Sequence, residues 1–189
     1  MSIRFPIGRR FAATWQHHVV RYSFALPYCY RKTVLDAGCQ VGWGANLITY
    51  VANKVTFVDM NKKYIEMAST MRHMCPVEYS ISNFEREFPE GKWDVIIAFE
   101  VIEHLEDPNL FLSNIAKSLN PGGKLIFSVP HMVDNHEHKH VYDKKSIKDL
   151  IEKYFKIEEF YEQDKNPINL GPMYGYLKCY VGVAVSKYE

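Results

Sequence analysis

Apolar residues at Phe11, Trp15, Val19, Tyr22 and Leu26 recur every three or four positions, and this spacing predicts an amphipathic helix over about 10–27, ended by Pro27. After residue 32 the period changes. Short apolar runs at 33–38, 54–60, 77–82, 93–100 and 124–130 predict five strands. The fourth, "WDVIIAFE", is apolar at nearly every position, as a strand covered on both faces must be. Between them, helical patterns at 43–52, 61–74, 108–120 and 143–155 carry start signals in Asn61 and Pro108 and a stop signal in "NPGG". "KIEEFYEQ" and "LKCYVGVAVSKY" predict two closing strands. Regular alternation of strand and helix means a doubly wound α/β sheet, with ligands received at the carboxyl ends of the strands.

Composition adds limits rather than direction. With 189 residues, 47% hydrophobic and 24% charged, the chain suits a single domain, a helical lead-in over 1–32 and a core over 33–189. A formal net charge of +1 exerts no general pull on nucleic acid, although basic residues at 4, 9, 10, 21, 31 and 32 could form a local patch. Four scattered cysteines without a C-x-x-C pair suggest neither a zinc ribbon nor a disulfide framework, so a reducing, cytoplasmic setting is expected. The paired arginines of "GRRFAATW" lack the apolar stretch an export signal needs, and no apolar run approaches the ~20 residues of a membrane span.

The chemistry begins at residues 36–44, "DAGCQVGWG". Glycines spaced G-x-x-x-G-x-G between a strand and a helix let a ligand press on backbone. They are not the G-x-G-x-x-G that cradles a pyrophosphate, and Gln40 stands where a second early glycine would be. Asp36 in the same turn would repel a pyrophosphate but suits a cationic or zwitterionic ligand. Asp59, 21 residues beyond Gly38 at the end of the second strand, is placed to accept from a ribose diol.

Taken in order, "VLDAGCQVGWGA", "FVDMN", "WDVIIAFEVIEHLEDP" and "LNPGGKLIFSVP" resemble the successive motifs of class I S-adenosylmethionine-dependent methyltransferases, over nearly the whole chain. The resemblance implies a Rossmann-like seven-stranded sheet of order 3-2-1-4-5-7-6 with only strand 7 antiparallel, and S-adenosyl-L-methionine as cofactor. By position it implies that Asp36, Gly38, Gln40, Gly42 and Gly44 form the turn around the methionine moiety. Asp59 would bind ribose, Met60 would pack on adenine, and Asn83 and Phe84 would lie beside the adenine amino group. Glu100 would help to position the cofactor, and Arg21 would either clamp the methionine carboxylate or sit on a solvated helix face. Gln40 in place of the family's central glycine brings a β-carbon into the closest approach, and so bears on cofactor affinity.

Two further clusters, Glu100, Glu103 and His104 after the fourth strand and His131, His136, His138 and His140 after the fifth, should converge on one mouth. Glu100, Glu103, His104 and His138 are similar in placing to the metal set of small-RNA 3′-terminal 2′-O-methyltransferases. "EVIEHL.DP" is equally familiar from metal-free small-molecule methyltransferases, and no metal is expected. His104, with His138 and Glu103 as partners, is the expected catalytic group, since oxygen acceptors need a base near neutral pH. The expected reaction is O-methylation of a small hydroxylated acceptor such as a sugar, quinone or secondary metabolite. An RNA end is the other acceptor an open site would suit, and a non-catalytic, partner-activating subunit is the alternative that Gln40 leaves standing.

Overall fold

The computed structural model describes residues 9–133, 136–163 and 179–187, with residues 9–16 by backbone alone. Seven strands form one sheet: β1 (Thr33–Ala37), β2 (Lys54–Asp59), β3 (Val77–Ile81), β4 (Trp93–Phe99), β5 (Leu119–Pro130), β6 (Phe155–Gln163) and β7 (Cys179–Ser186). Their order is β3-β2-β1-β4-β5-β7-β6, and β7 runs antiparallel to both its neighbours. β1 lies between β2 and β4, in register Asp36 to Phe57 on one side and Asp36 to Ile97 on the other. The carboxyl ends of β1, β2 and β4 therefore emerge together, at the point where the strand order reverses.

Alternation along the central strands supplies two cores. Val34, Val95, Ile97 and Phe99 face one layer with α1 (Arg9–Cys29), α2 (Trp43–Ile48) and α3 (Lys62–Ser69). Leu35, Ile96 and Ala98 face the other layer, which holds α4 (Pro108–Ser118) and α5 (Lys144–Ile151). Asn61 caps α3 by accepting from the Lys63 N–H, and Asp107 caps α4 ahead of Pro108. Asp143 and Ser146 close a capping box on α5.

Two sequence expectations need correction. Pro27 does not end the first helix, which continues to Cys29. In the last turn a proline forfeits one backbone hydrogen bond, and burial of Cys29 in the core outweighs that loss. "NPGG" is not a helix-stopping turn outside the sheet: β5 begins at Leu119, opposite Trp93, and the ladder shifts register before Val95. The Asn120 amide donates to Asp94 across this irregularity, at 2.8 Å. The segment after β4 is a single 3₁₀ turn, η1 (Ile102–His104), which no periodicity marks. The segment 163–175, which the sequence offers as a lid or a mere connection, lies outside the described residues from 164 on, as does Arg4 of the basic patch. Among the described residues no helix is long and apolar enough to cross a membrane, and the four cysteines are free.

Candidate active site

A cleft of about 610 Å³ opens at the carboxyl ends of β1, β2 and β4. Gly38, Gln40, Asp59, Met60, Asn83, Phe84, Glu100 and His104, all expected from sequence, line it. Val101, Leu105, Tyr64, Glu85 and Lys139 line it too, and sequence reasoning did not single these out. Tyr64 comes from α3 and the others from the loops after β3, β4 and β5, where no pattern distinguishes a lining residue from a solvated one.

The floor is built from backbone. The Gly38 and Cys39 N–H groups both donate to the Val58 carbonyl, which ties the β1 turn to β2. Gly38 has φ +77°, and a β-carbon there would come within 2.6 Å of Val101. Gln40 also occupies the left-handed region, at φ +49°, and its N–H donates to Asp59 Oδ2 at 2.9 Å. Asp59 Oδ1 accepts from the Asn61 N–H at 2.8 Å. Both carboxylate oxygens are thus oriented by backbone and keep lone-pair capacity toward the cleft.

The Gln40 side chain itself is exposed at the lining. A ligand entering there must order or displace it, at a cost of ~0.5–1.5 kcal/mol. Gln40→Gly should therefore tighten S-adenosylhomocysteine binding roughly 2- to 10-fold, the backbone bond to Asp59 being unaffected. Calorimetric titration checks this, and equal or weaker binding by the variant would count against it.

Other expected cofactor residues lie behind the lining. Gly42, at φ +80°, faces Ala68, Met71 and Phe57, and Gly44 faces the Tyr22 ring. Their want of a side chain serves helix packing. Asp36 is buried and accepts from the Tyr22 hydroxyl at 2.8 Å. Arg21 is neither on a solvated face nor at the cleft: its side chain is 3% exposed. Nη1 donates to the Cys179 sulfur at 3.1 Å and lies 3.4 Å from Glu100 Oε1, which also accepts from the Ser128 hydroxyl. Burial, and then the charge of Arg21, hold His18 down to about 4, so its Nδ1, 3.3 Å from Arg21 Nη2, is a neutral acceptor.

At the mouth, η1 and the 136–140 loop are joined by backbone: the Glu103 carbonyl accepts from the Lys139 and His140 N–H groups at 2.8 and 3.1 Å. This brings His138 beside His104, the two rings standing perpendicular with centroids 4.9 Å apart. His104, 38% exposed, lies with Nε2 3.7 Å from Glu103 Oε1. Burial and then the nearby Glu100 carboxylate push the Glu103 carboxyl well above the usual range. The remaining histidines do not join them. His131 Nδ1 bonds the Tyr180 hydroxyl, His136 is exposed, and His140 stacks on Tyr142.

The donor set decides among cofactors. The lining carries the carboxylates of Asp59, Glu85, Glu100 and Glu106, while the ammonium of Lys139 is already paired with Glu106 at 2.7 Å. Such a cleft repels a pyrophosphate and suits an adenosine with a cationic tail. A methyltransferase-domain family model matches residues 9–154. The chain belongs to the class I S-adenosylmethionine-dependent methyltransferases. A "probable S-adenosylmethionine-dependent methyltransferase" of Mycobacterium tuberculosis is 36% identical over 121 residues, covering 63% of this chain and 43% of that protein. The ubiquinone biosynthesis O-methyltransferase of Proteus mirabilis is 34% identical over 102 residues, covering 51% and 41%. The match thus spans less than half the length of these curated relatives. In fold, the methyltransferase domain is similar to the N-methyltransferase NodS of Bradyrhizobium japonicum bound to S-adenosyl-L-homocysteine. The TM-score is 0.71 at 16% identity, over 93% of this chain and 87% of that one.

Proposed function

We propose that this methyltransferase domain transfers the methyl group of S-adenosylmethionine to a hydroxyl oxygen of a small acceptor, a sugar, quinone or secondary metabolite. When bound, S-adenosylmethionine supplies a methyl group on a cationic sulfur. Asp59 would hold its ribose, Met60, Asn83 and Phe84 its base, and the Gly38–Gln40 turn its amino-acid end. The chain's own task is then to hold a hydroxyl group in line and to draw off its proton.

The observation that carries this reading is the setting of His104. Its Nδ1–H is committed to the Glu137 carbonyl at 3.0 Å, so the neutral ring keeps its lone pair on Nε2. The ring lines the cleft with Glu103 and His138 grouped behind it. A hydroxyl acceptor needs such a cluster as the destination of its proton, whereas an amine with a free lone pair does not. A relative named as an O-methyltransferase supports the same choice.

The test is methyl transfer to a panel of hydroxylated small molecules, amines and an RNA 3′ end, by wild type and His104→Asn. Turnover on a hydroxylated small molecule should fall about 10²- to 10⁴-fold in the variant, with S-adenosylhomocysteine affinity unchanged. Wild-type turnover on amines alone, or an undiminished rate in the variant, would overturn the reading. Cofactor binding without turnover on any acceptor would replace it with the activator-subunit alternative.

A further inference from the structure

We propose that Glu103, His104 and His138 are the ligands of a divalent transition-metal ion at the mouth of the cleft, bound through one carboxylate oxygen and two imidazole nitrogens. One ligand atom from each lies within 4.8 Å of the other two. Ligands on a common ion at ~2.1 Å stand about 3 to 4 Å apart, so side-chain shifts of about 1 Å close the set.

Three features of this chain prepare the site. Both rings are fixed from behind: His104 Nδ1 bonds the Glu137 carbonyl at 3.0 Å, and His138 Nδ1 bonds the Val133 carbonyl at 2.8 Å. A carbonyl can only accept, so each Nδ1 carries the hydrogen and each Nε2 is the nitrogen that can ligate. Second, the Glu103 side chain is 1% exposed, yet neither carboxylate oxygen has a hydrogen-bond partner among the described residues. A carboxylate so placed is costly unless a cation meets it. The Arg21 guanidinium does not do so, being engaged with Glu100 and Cys179. Third, the Glu103 carbonyl holds the backbone of Lys139 and His140, so the residues flanking His138 are anchored to the same turn that carries the other two ligands.

Among the described residues the set stops at three. Glu100 is committed to Ser128 and Arg21, His131 to Tyr180, and the His136 side chain is 90% exposed. Three protein ligands leave open positions on the ion, and two imidazoles with one carboxylate favour zinc, manganese, iron(II) or cobalt over magnesium. The ion's role rests on methyl transfer to oxygen and replaces only the base. With His104 Nε2 on the ion, the acceptor hydroxyl would take an open position, be acidified there and release its proton to solvent water instead of to the ring.

Binding can be tested without turnover. Metal-stripped protein is titrated with zinc, manganese and cobalt by calorimetry, and the cobalt complex is followed by visible absorption, with no cofactor or acceptor present. Wild type and His136→Ala should each take up one ion. His138→Ala and Glu103→Gln should bind at least about 100-fold more weakly, while thermal melts confirm that both are folded. No uptake by wild type, or uptake unchanged in both ligand variants, would overturn the site. That result would leave methyl transfer standing, with His104 as a free base. An ion bound by wild type that methylates nothing would retain the site and sink the methyl-transfer reading.

Discussion

Gly44→Ala should destabilise the fold by about 2 kcal/mol or more, although alanine is the better helix former. Gly44 lies in α2, and a β-carbon built there falls 2.0 Å from the Tyr22 ring. That ring cannot easily retreat. It packs edge-on against Phe99 with centroids 5.1 Å apart, and its hydroxyl is tied to Asp36. The added methyl must therefore push α1 away from α2, opening the layer that contains Ala25, Cys29 and Ile48. For a chain of this size the melting temperature should drop by roughly 4–8 °C or more. Adding Tyr22→Leu gives a double variant that should cost less than the two single changes summed. Strict additivity, or a melting temperature unchanged by Gly44→Ala, would refute the packing account.

Asp36→Asn should strongly change the pH dependence of stability. Burial, opposed by the Tyr22 hydrogen bond and assisted by Asp59, raises the Asp36 carboxyl from 3.8 to about 7. Between those two values the folded chain keeps a proton that the unfolded chain has released. The stability due to Asp36 is therefore complete below pH ~4 and is lost as pH rises through about 7. Asparagine keeps an oxygen for the Tyr22 hydroxyl and cannot ionise. Relative to wild type, the variant should gain stability as pH rises, by an amount on the order of 4 kcal/mol over the whole interval. Denaturant unfolding without cofactor, across about pH 4–8, measures it. Parallel curves for the two proteins would show that Asp36 does not titrate in this window.

The sheet was legible because a strand covered on both faces is apolar at every position and the helices between strands announce their starts. Leu35 and Val34 belong to opposite cores, yet both had to be apolar, and the run "WDVIIAFE" shows the same necessity. Asn61, Asp107 with Pro108, and Asp143 with Ser146 satisfy backbone N–H groups within four residues, so their meaning is local. Pro27 and "NPGG" misled because their outcome depends on distant partners: the core around Cys29, and Trp93 pairing with Leu119.

The site divides along the same line. The α/β order, the glycine turn after β1, the acid at the end of β2 and the grouping of histidines after β4 and β5 were legible along the chain. Each follows from spacing along the chain and from which strands must end together. What the side chains in those segments face depends on how the elements pack. Gly42 and Gly44 make room for packing, Arg21 braces Glu100 under α1, and Glu103 meets His138 across 35 positions of sequence. Direction in a turn is set by φ and by what lies above it. The positive φ of Gln40 and Glu100, and the backbone bonds from Glu103 to the loop, are properties of the closed fold.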